Sequence, residues 1–378
     1  MTRGAFAVIS GGGTGGHVFE ALAIARALRA LGHGAESIEL VGSRRGQEAT
    51  LLAAEGFPFK LLPGRGVVRR LDLAALQANA GALVGLGWAT ARELLDLARR
   101  RPRVVVSVGG YASFPADAAA VVLGVPLVLV TIDAVPGAVH RLLAGRAAAN
   151  AVAYPGTGLP RAVVTGVAVR QEITEVERGA SAAARARKEL ELPAQRQVVG
   201  VVGGSLGARR VNEAAVGLAA RWRARDDLAM HHVTGRRDAE AMSRQAAALG
   251  LPGVDGLSYR SVAFEDRMAR LYEAVDVMVC RAGASTVAEL AVAGVPSVLV
   301  PLPGAPGDHQ TANARTLVDA GAAVLVSDED CTPERLATVL DGLLADAARL
   351  AAMGAAARAL GRPDAADRIA GLVVAHAG

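Results

Sequence analysis

The sequence has very few cysteines. Only Cys280 and Cys331 occur among 378 residues, and neither has neighbours at the spacing of a metal site. A disulfide framework or a zinc centre is therefore not expected. The scarcity of cysteine favours a reducing, cytoplasmic compartment, and we expect no bound metal or cofactor.

Aromatic residues are also scarce, at 3% of the chain. Sites for single-stranded nucleic acid need stacking rings interleaved with basic residues, so a nucleic-acid partner is not expected. The charge is unevenly distributed, because residues 1–165 carry 17 Lys and Arg against 10 Asp and Glu, whereas the remainder carries 24 against 26. A basic first half favours an anionic membrane surface or a pyrophosphate as partner.

No apolar stretch reaches the roughly 18 residues of a membrane-spanning helix. The short apolar run near the start of the sequence is broken by glycines too early for a secretory signal. The length exceeds what one hydrophobic core usually organises, so two domains are expected. A content of 52% hydrophobic residues with 44 glycines suits an α/β protein.

Apolar, strand-like runs alternate with helical stretches in both halves of the chain. They cover residues 5–9, 37–41, 103–108, 126–131 and 150–153, and then 197–202, 228–233, 258–263, 275–279, 297–300 and 323–326. This alternation predicts parallel sheets, and hence two doubly wound domains in tandem with ligands in a cleft between them.

Prolines and glycines cluster between residues 155 and 166, where we place the join between the domains. Three helical stretches, roughly 332–345, 347–360 and 364–376, follow the last strand. Gly361-Arg362-Pro363 separates the third of them from the second. We expect this last helix to cross back to the first domain.

A glycine-rich turn joins the first strand to the first helix. Residues 10–17 read Ser-Gly-Gly-Gly-Thr-Gly-Gly-His. Such a turn lets the backbone approach a phosphate at a helix N-terminus, where the helix dipole also keeps the His17 ring neutral and available as a base. The same glycines satisfy G-x-G-x-x-G, so a dinucleotide site is an alternative, although no acidic residue ends the second strand and Glu39 lies inside it.

The second half contains a comparable turn with more polar residues. Residues 280–289, Cys-Arg-Ala-Gly-Ala-Ser-Thr-Val-Ala-Glu, follow a strand and start a helix. The amides and hydroxyls of this turn suit a diphosphate, and Glu289 suits two ribose hydroxyls. Residues 308–313, Asp-His-Gln-Thr-Ala-Asn, suit the recognition of a neutral sugar. Either segment, taken alone, is also compatible with an ordinary helix cap or loop.

Taken together, five ordered motifs resemble the MurG family of N-acetylglucosaminyltransferases. They are Gly-Gly-Thr-Gly-Gly-His at 12–17, Val-Gly-Gly-Tyr at 108–111, Gly-Gly-Ser-Leu-Gly-Ala at 203–208, the segment at 280–289, and His-Gln-Thr-Ala-Asn-Ala at 309–314. The resemblance implies a GT-B fold of two Rossmann-like domains. Residues 1–165 are expected to bind the acceptor, with the helix at about 364–378 packed back on them, and residues 166–363 are expected to bind UDP-N-acetylglucosamine (UDP-GlcNAc). The resemblance disfavours the dinucleotide alternative.

The resemblance implies an inverting transfer of N-acetylglucosamine to lipid I, a polyprenyl-pyrophosphate-linked muramyl peptide, which forms lipid II for peptidoglycan synthesis. His17 is the implied catalytic base. The implied acceptor and pyrophosphate contacts are Gly12, Gly13, Thr14, Gly15, Gly16, Tyr111 and Asp133. The implied UDP-GlcNAc contacts are Thr14, Gly15, Gly16, Arg170, Ser205, Leu206, Phe264, Glu265, Ala284, Ser285, Thr286, Glu289, His309 and Gln310.

The sequence departs from the family pattern on the acceptor side. Family members usually carry His-Glu-x-Asn at the end of the strand-like run at 126–131, whereas this chain has Val130-Thr131-Ile132-Asp133. Asp133 therefore stands at the asparagine position, where we expect it to support His17 or position the acceptor. On the donor side, His309 replaces one of two usual glutamines. The changed acceptor side keeps two enzymes of the same fold open as alternatives, a natural-product glycosyltransferase and a UDP-GlcNAc 2-epimerase. A non-catalytic nucleotide-sugar binding protein is disfavoured, because it would not need His17.

Residues 65–92 combine arginines with leucines and Trp88. This arrangement suits an interfacial surface at an anionic membrane, although a core-packing helix explains it equally well. With a lipid-linked acceptor, we expect a peripheral protein at the cytoplasmic face of the cell membrane, acting in cell-wall biogenesis and hence in cell shape and division.

Overall fold

The computed structural model describes residues 5–12, 15–43, 56–62, 73–204, 207–251 and 255–378. The chain divides into two compact units. Unit 1 comprises residues 1–170 and 363–378, and unit 2 comprises residues 171–362. Each unit is built around its own parallel sheet.

The described strands of unit 1 form a seven-stranded sheet in the order β3-β2-β1-β4-β5-β6-β7. They are β1 (Ala7–Gly11), β2 (Ile38–Ser43), β3 (Phe59–Leu62), β4 (Val104–Gly109), β5 (Leu127–Thr131), β6 (Ala149–Val152) and β7 (Ala162–Val164). The strand order reverses between β1 and β4. In such sheets, ligands bind beyond the carboxyl ends of the strands at this point.

The described strands of unit 2 form a six-stranded sheet in the order β10-β9-β8-β11-β12-β13. They are β8 (Gln197–Val202), β9 (Leu228–Val233), β10 (Ser258–Val262), β11 (Val277–Cys280), β12 (Ser297–Leu299) and β13 (Ala323–Leu325). The reversal here lies between β8 and β11. Both units are therefore doubly wound, as the alternation of strands and helices predicts.

Helices connect the strands and cover the sheets. In unit 1 they are α1 (Gly15–Ala30), α2 (Leu73–Arg100), α3 (Phe114–Leu123), α4 (Ala138–Leu143) and, from the end of the chain, α14 (Ala365–His376). In unit 2 they are α5 (Gln171–Thr174), α6 (Ala180–Glu189), α7 (Arg209–Arg221), α8 (Ala239–Ala248), α9 (Met268–Ala274), α10 (Ala284–Ala293), α11 (His309–Val318), α12 (Pro333–Leu344) and α13 (Ala347–Leu360).

The central strands are continuous apolar runs because helices cover both faces of a parallel sheet. Every residue of β4 and β5 is buried. Two strands of unit 1, β3 and β7, are not among the predicted runs, and both lie at an edge of the sheet. β7 is largely exposed, and Phe59 in β3 is 40% exposed.

The last helix packs onto the first helix of the chain. Ile369, Ala370 and Val373 of α14 are fully buried in the same hydrophobic cluster as Leu22 and Ile24 of α1. The end of the chain is also fixed, because the Gly378 amide donates to the Arg103 carbonyl at 3.1 Å. The final residues of the sequence therefore complete the core of unit 1.

We expect Ile369→Ala to lower the free energy of unfolding of unit 1 by about 2–5 kcal/mol, because it leaves a cavity in that core. Amide hydrogen exchange of peptides from β1 and β4 measures this change. Val374→Ala is the matched control, since Val374 is 39% exposed on the same helix. An equal loss of protection in both variants would contradict the packing of α14 as described.

Candidate active site

Two glycine turns meet at the strand reversal of unit 1. β1 ends at Gly11 and β4 ends at Gly109, and these two residues are paired in the sheet. Gly110 has φ +82°, and a Cβ at this position would lie 2.2 Å from the carbonyl oxygen of Gly12. Only glycine fits such an approach. Gly12 therefore lies at the predicted place, while Gly13 and Thr14 lie outside the described residues.

The predicted base, His17, is the third residue of α1 and is half-buried. Its Nε2 atom lies 3.6 Å from the point that a Cβ on Gly109 would occupy. The ring therefore faces the end of β4. Gly15 and Gly16, the first two residues of α1, directly precede His17.

A second histidine, which sequence analysis missed, faces the same glycine. Nε2 of His140 lies 3.4 Å from the Cβ position of Gly109. His140 is buried on α4, with Nδ1 2.8 Å from Oγ1 of Thr131 and Nε2 3.2 Å from Oγ of Ser107. Burial, and next the neighbouring His17, lower the pKa of His140 to about 4. His140 is therefore neutral at physiological pH.

A buried carboxyl group is linked to His140 through the Ser107 hydroxyl. Asp117 of α3 is fully buried, and its two oxygens accept hydrogen bonds from Ser107 and Ser10, both at 2.7 Å. Burial raises its pKa to about 6, and these hydrogen bonds limit the rise. A lone acid among the alanines of an otherwise apolar helix was the sequence signal for this group.

Glu20 is a further acidic residue that sequence analysis missed. It lies one turn after His17 and is 1% exposed, and neither carboxyl oxygen has a hydrogen-bond partner among the described residues. Burial, and next the charge of Asp133, raise the pKa of Glu20 well above its usual value. The structure therefore brings the predicted acceptor residue Asp133 close enough to α1 to act on Glu20.

Two other predicted residues lie at the same end of unit 1. Tyr111 is half-buried and directly follows Gly110 in the turn after β4. The guanidinium group of Arg170 stacks 4.9 Å above the ring of Phe19, which places it beside the start of α1. The predicted acceptor residues of the described chain are thus gathered around the start of α1.

In unit 2, two positions in the turn after β8 also leave no room for a side chain. A Cβ on Gly203 would lie 2.6 Å from the amide nitrogen of Ala208, and one on Gly207 would lie 2.7 Å from the carbonyl oxygen of Thr234. The buried side chain of Asn212 fixes this turn from behind, since it donates to the same Thr234 carbonyl at 2.8 Å. Ser205 and Leu206, predicted for the donor, lie outside the described residues.

The start of α10 is a second helix N-terminus at a strand reversal. Gly283 precedes the helix, and no side chain caps it or places an acidic charge in its first turn. The amides at Ala284, Ser285 and Thr286 therefore remain oriented for an anion. Ser285 and Thr286 are half-buried.

Glu289 lies on the same helix and is held in place by a tyrosine. Oη of Tyr272 donates to its Oε2 at 2.8 Å. The carboxylate of Glu289 thus has a fixed orientation one turn beyond the hydroxyls of Ser285 and Thr286.

Cys280, at the end of β11, is an inert core residue. Burial, and next the charge of Glu289, raise the pKa of its thiol to about 12.

Phe264 and Glu265 follow strand β10. Phe264 is half-buried under the Arg236 guanidinium group, 4.9 Å from the ring centre. Glu265 accepts from His231 Nε2 at 3.1 Å and from the Arg267 amide at 3.0 Å. Burial opposes the charge of Glu265, but these hydrogen bonds outweigh it and lower the pKa to about 2.

The two predicted sugar-reading residues start α11. Nδ1 of His309 lies 2.9 Å from the carbonyl oxygen of Pro306, so Nδ1 carries the proton and Nε2 is an acceptor. Oε1 of Gln310 accepts from the amide of Leu302 at 3.0 Å, which leaves its NH₂ group to donate. Asn313, further along, donates to the Ala282 carbonyl at 3.3 Å and so ties α11 to the turn before α10.

Two kinds of feature are absent from the described residues. No group of three or more His, Cys, Asp and Glu side chains in them is arranged to hold a metal ion. None of their helices is both long and apolar enough to cross a membrane.

We expect the low pKa of Glu265 to make unit 2 less stable in acid. Its folded pKa of about 2 is below the unfolded value of 4.5, so the stabilisation is present above pH 4.5 and is lost as the pH falls towards 2. Glu265→Gln should lower the free energy of unfolding by about 1–3 kcal/mol at pH 7 and by progressively less towards pH 2.

Urea denaturation across this pH range measures the effect. Glu240→Gln is the control, because the Glu240 side chain is 85% exposed in a surface pair with Arg244. A difference between Glu265→Gln and the unsubstituted protein that stays constant with pH would contradict the assignment.

The chain matches two domain models of one enzyme family. The model of the glycosyltransferase family 28 N-terminal domain matches residues 7–152, and that of the C-terminal domain matches residues 198–369. A protein of Moorella thermoacetica is 38% identical over 96% of each chain, and it is named UDP-N-acetylglucosamine–N-acetylmuramyl-(pentapeptide) pyrophosphoryl-undecaprenol N-acetylglucosamine transferase.

Solved structures have the same architecture. The crystal structure of Acinetobacter baumannii MurG is 30% identical, covers 98% of each chain and gives a TM-score of 0.75. The glycotransferase of kitacinnamycin, at 19% identity and full coverage of both chains, gives a TM-score of 0.67, which shows a common fold alone. The predicted GT-B class, with two doubly wound α/β domains, is confirmed. The chain therefore belongs to the MurG family of family 28 glycosyltransferases.

Proposed function

We propose that this protein transfers N-acetylglucosamine from UDP-GlcNAc to the muramyl sugar of a polyprenyl-pyrophosphate-linked peptide, converting lipid I into lipid II. The observation that carries the proposal is His17, which starts a helix directly behind a glycine turn and faces the end of β4. Full-length relatives named for this transfer support it. The natural-product and epimerase alternatives are not favoured.

On the acceptor side, His17 acts as general base. The acceptor hydroxyl oxygen attacks the anomeric carbon of N-acetylglucosamine, its proton passes to His17, and the bond from that carbon to the diphosphate breaks as UDP leaves with the electron pair. The attack inverts the anomeric centre. Backbone amides of residues 12–16 bind the acceptor pyrophosphate, and Tyr111 and Asp133 orient the acceptor.

On the donor side, the start of α10 binds the diphosphate with the amides and hydroxyls of Ala284, Ser285 and Thr286. Glu289 binds the ribose hydroxyls, and its hydrogen bond from Tyr272 fixes the carboxylate for that task. Phe264 and the backbone of Glu265 contact the uracil. Residues 14–16, Arg170, Ser205 and Leu206 complete the proposed donor contacts.

The sugar hydroxyls are read by His309 and Gln310. Because Nδ1 of His309 is occupied by the Pro306 carbonyl, Nε2 accepts a hydrogen bond from a hydroxyl. Gln310 contributes its NH₂ group as donor, since its carbonyl oxygen is already bonded to Leu302. One acceptor and one donor of fixed orientation distinguish a hydroxyl from its epimer.

The proposal includes peripheral binding at the cytoplasmic face of the membrane, where a lipid-linked acceptor lies, and hence a role in cell shape and division. Val84, Trp88 and Leu95 of α2 are 75%, 57% and 59% exposed, and their spacing places them on one helix face. Arg92 lies beside this stripe, 5.5 Å from the Trp88 ring centre. Residues 65–72 and the side chains of 73–83 lie outside the described part of the chain.

We expect His17→Ala to lower transfer by about 10²–10⁴-fold, because no base then takes the proton of the attacking hydroxyl. Binding of UDP-GlcNAc, followed by calorimetry, should stay nearly unchanged. Glu289→Gln is the matched opposite case, and it should weaken UDP-GlcNAc binding about 10-fold or more through loss of a charged acceptor.

The assay is UDP release with UDP-GlcNAc and a soluble lipid I analogue. Release that does not depend on the acceptor in the unsubstituted protein would contradict transfer to lipid I. Full transfer by His17→Ala would contradict the assignment of the base.

We expect the protein to float with vesicles that contain an anionic phospholipid and to remain unbound with neutral vesicles. Trp88→Glu should reduce the bound fraction about 10-fold or more, because it removes apolar area and adds a repelled charge. Leu302→Glu, a change of an exposed leucine in unit 2, is the control and should float normally. The membrane-surface proposal fails if anionic vesicles do not bind the unsubstituted protein.

A further inference from the structure

Two imidazole rings converge on one residue in unit 1. Nε2 of His17 lies 3.6 Å from the point that a Cβ on Gly109 would occupy. Cε1 and Nε2 of His140 lie 3.3 Å and 3.4 Å from the same point. The absence of a side chain on Gly109, whose φ is +92°, makes room for both rings. His140 thus presents its Cε1–Nε2 edge to the glycine that His17 also faces.

The hydrogen bonds of His140 determine which nitrogen carries its proton. Ionised Asp117 only accepts, so the single Ser107 hydroxyl proton points to it. The Ser107 oxygen must then accept from Nε2–H of His140, 3.2 Å away. Nδ1 is left with a lone pair, which accepts from the Thr131 hydroxyl at 2.8 Å. His140 is therefore the neutral Nε2–H tautomer.

This tautomer has an electrostatic consequence for His17. In the neutral Nε2–H tautomer of imidazole, the Nε2–H edge is the positive end of the ring dipole and the lone pair on Nδ1 is the negative end. The hydrogen bonds turn this edge toward Gly109, where Nε2 of His17 also lies. A fixed positive edge in a buried site disfavours a second positive charge beside it.

We propose that His140 is a positioning residue for the transfer: with Ser107, Asp117 and Thr131 it presents a fixed, positive ring edge that keeps His17 unprotonated until it receives the acceptor proton. This inference rests on the proposed function. The chain lacks the usual His and Glu at the end of β5, and Thr131, at the Glu position, instead binds a ring supplied by α4.

Other ionisable groups also act on His17 or lie on elements packed around it. They are Glu20 on α1, Glu39 of β2 paired with Arg100, Tyr111 after β4, Asp117 on α3, Asp133 after β5, Arg170 over Phe19, and the exposed Asp367 and Arg368 of α14. His140→Phe leaves all of them in place. It removes both ring nitrogens, and with them the positive Nε2–H edge and the acceptor for Thr131, while keeping much of the ring volume.

The test is nitrogen NMR of histidine-labelled protein, with resonances assigned through His17→Ala and His140→Phe. In the unsubstituted protein, His140 should show the Nε2–H tautomer at pH 7 to 8, where Asp117 is ionised, and should not itself titrate from pH 5.5 to 8. In His140→Phe, the pKa of His17 should rise by about 0.5–1 unit. The acidic limb of kcat/KM should move up equally, which lowers kcat/KM by about 3- to 10-fold on that limb.

His140→Gln is the conservative variant, because its side-chain N–H donates to Ser107 in place of Nε2–H and should keep the His17 pKa near its original value. His33→Phe is the control, since His33 stacks on Phe6 elsewhere in unit 1 and should leave His17 unchanged. A purely structural role for His140 would alter stability without moving the pKa of His17.

Two results would overturn the inference. One is an Nδ1–H or charged His140 in the unsubstituted protein, which needs no variant to fold. The other is a His17 pKa that is the same in folded His140→Phe. If instead the pKa shift occurs but the protein transfers no sugar to the lipid-linked acceptor, the proposed function fails and the coupling of the two rings stands.

Discussion

The close approach of two backbone turns at the ends of β1 and β4 is the constraint on which the position of His17 depends. A methyl group on Gly110 would lie 2.2 Å from the Gly12 carbonyl oxygen. Because no side chain separates these turns, α1 starts directly against the end of β4. His17 is therefore placed by backbone geometry, and a longer turn would let solvent between the ring and the sheet.

Two buried ionisable groups near His17 favour their neutral forms. Glu20 is buried with a raised pKa and so favours its neutral acid form, and His140 favours its neutral base form. Asp117 alone would be a costly buried charge, but the hydroxyl groups of Ser10 and Ser107 donate hydrogen bonds to it. Burial thus favours the uncharged form of Glu20, Asp117 and His140, and the hydrogen bonds that Asp117 accepts favour its ionised form.

Much of the fold follows from the sequence, because buried parallel strands are continuous apolar runs. The strands at 197–202 and 228–233 and the helix at 347–360 have the predicted bounds. Strands β3 and β7, both at an edge of their sheet, were not predicted. Glu289 and Gln310 were predicted as donor contacts from motifs, but the hydrogen bonds that they accept from Tyr272 and from the Leu302 amide are visible only in the structure.

The network behind His17 was beyond sequence analysis for a related reason. Ser107, Asp117, Thr131 and His140 lie on four different elements, and each looks like an isolated polar residue in an apolar run. The role of these residues depends on the direction of their hydrogen bonds, and the spacing of residues in the sequence does not determine that direction. The proposed ribose contact needs a carboxylate of fixed orientation, and the hydrogen bond that Tyr272 donates to Glu289 supplies that orientation. The proposed base, by contrast, must be uncharged until it reacts, and that state requires neighbours whose protons are held in hydrogen bonds to other groups.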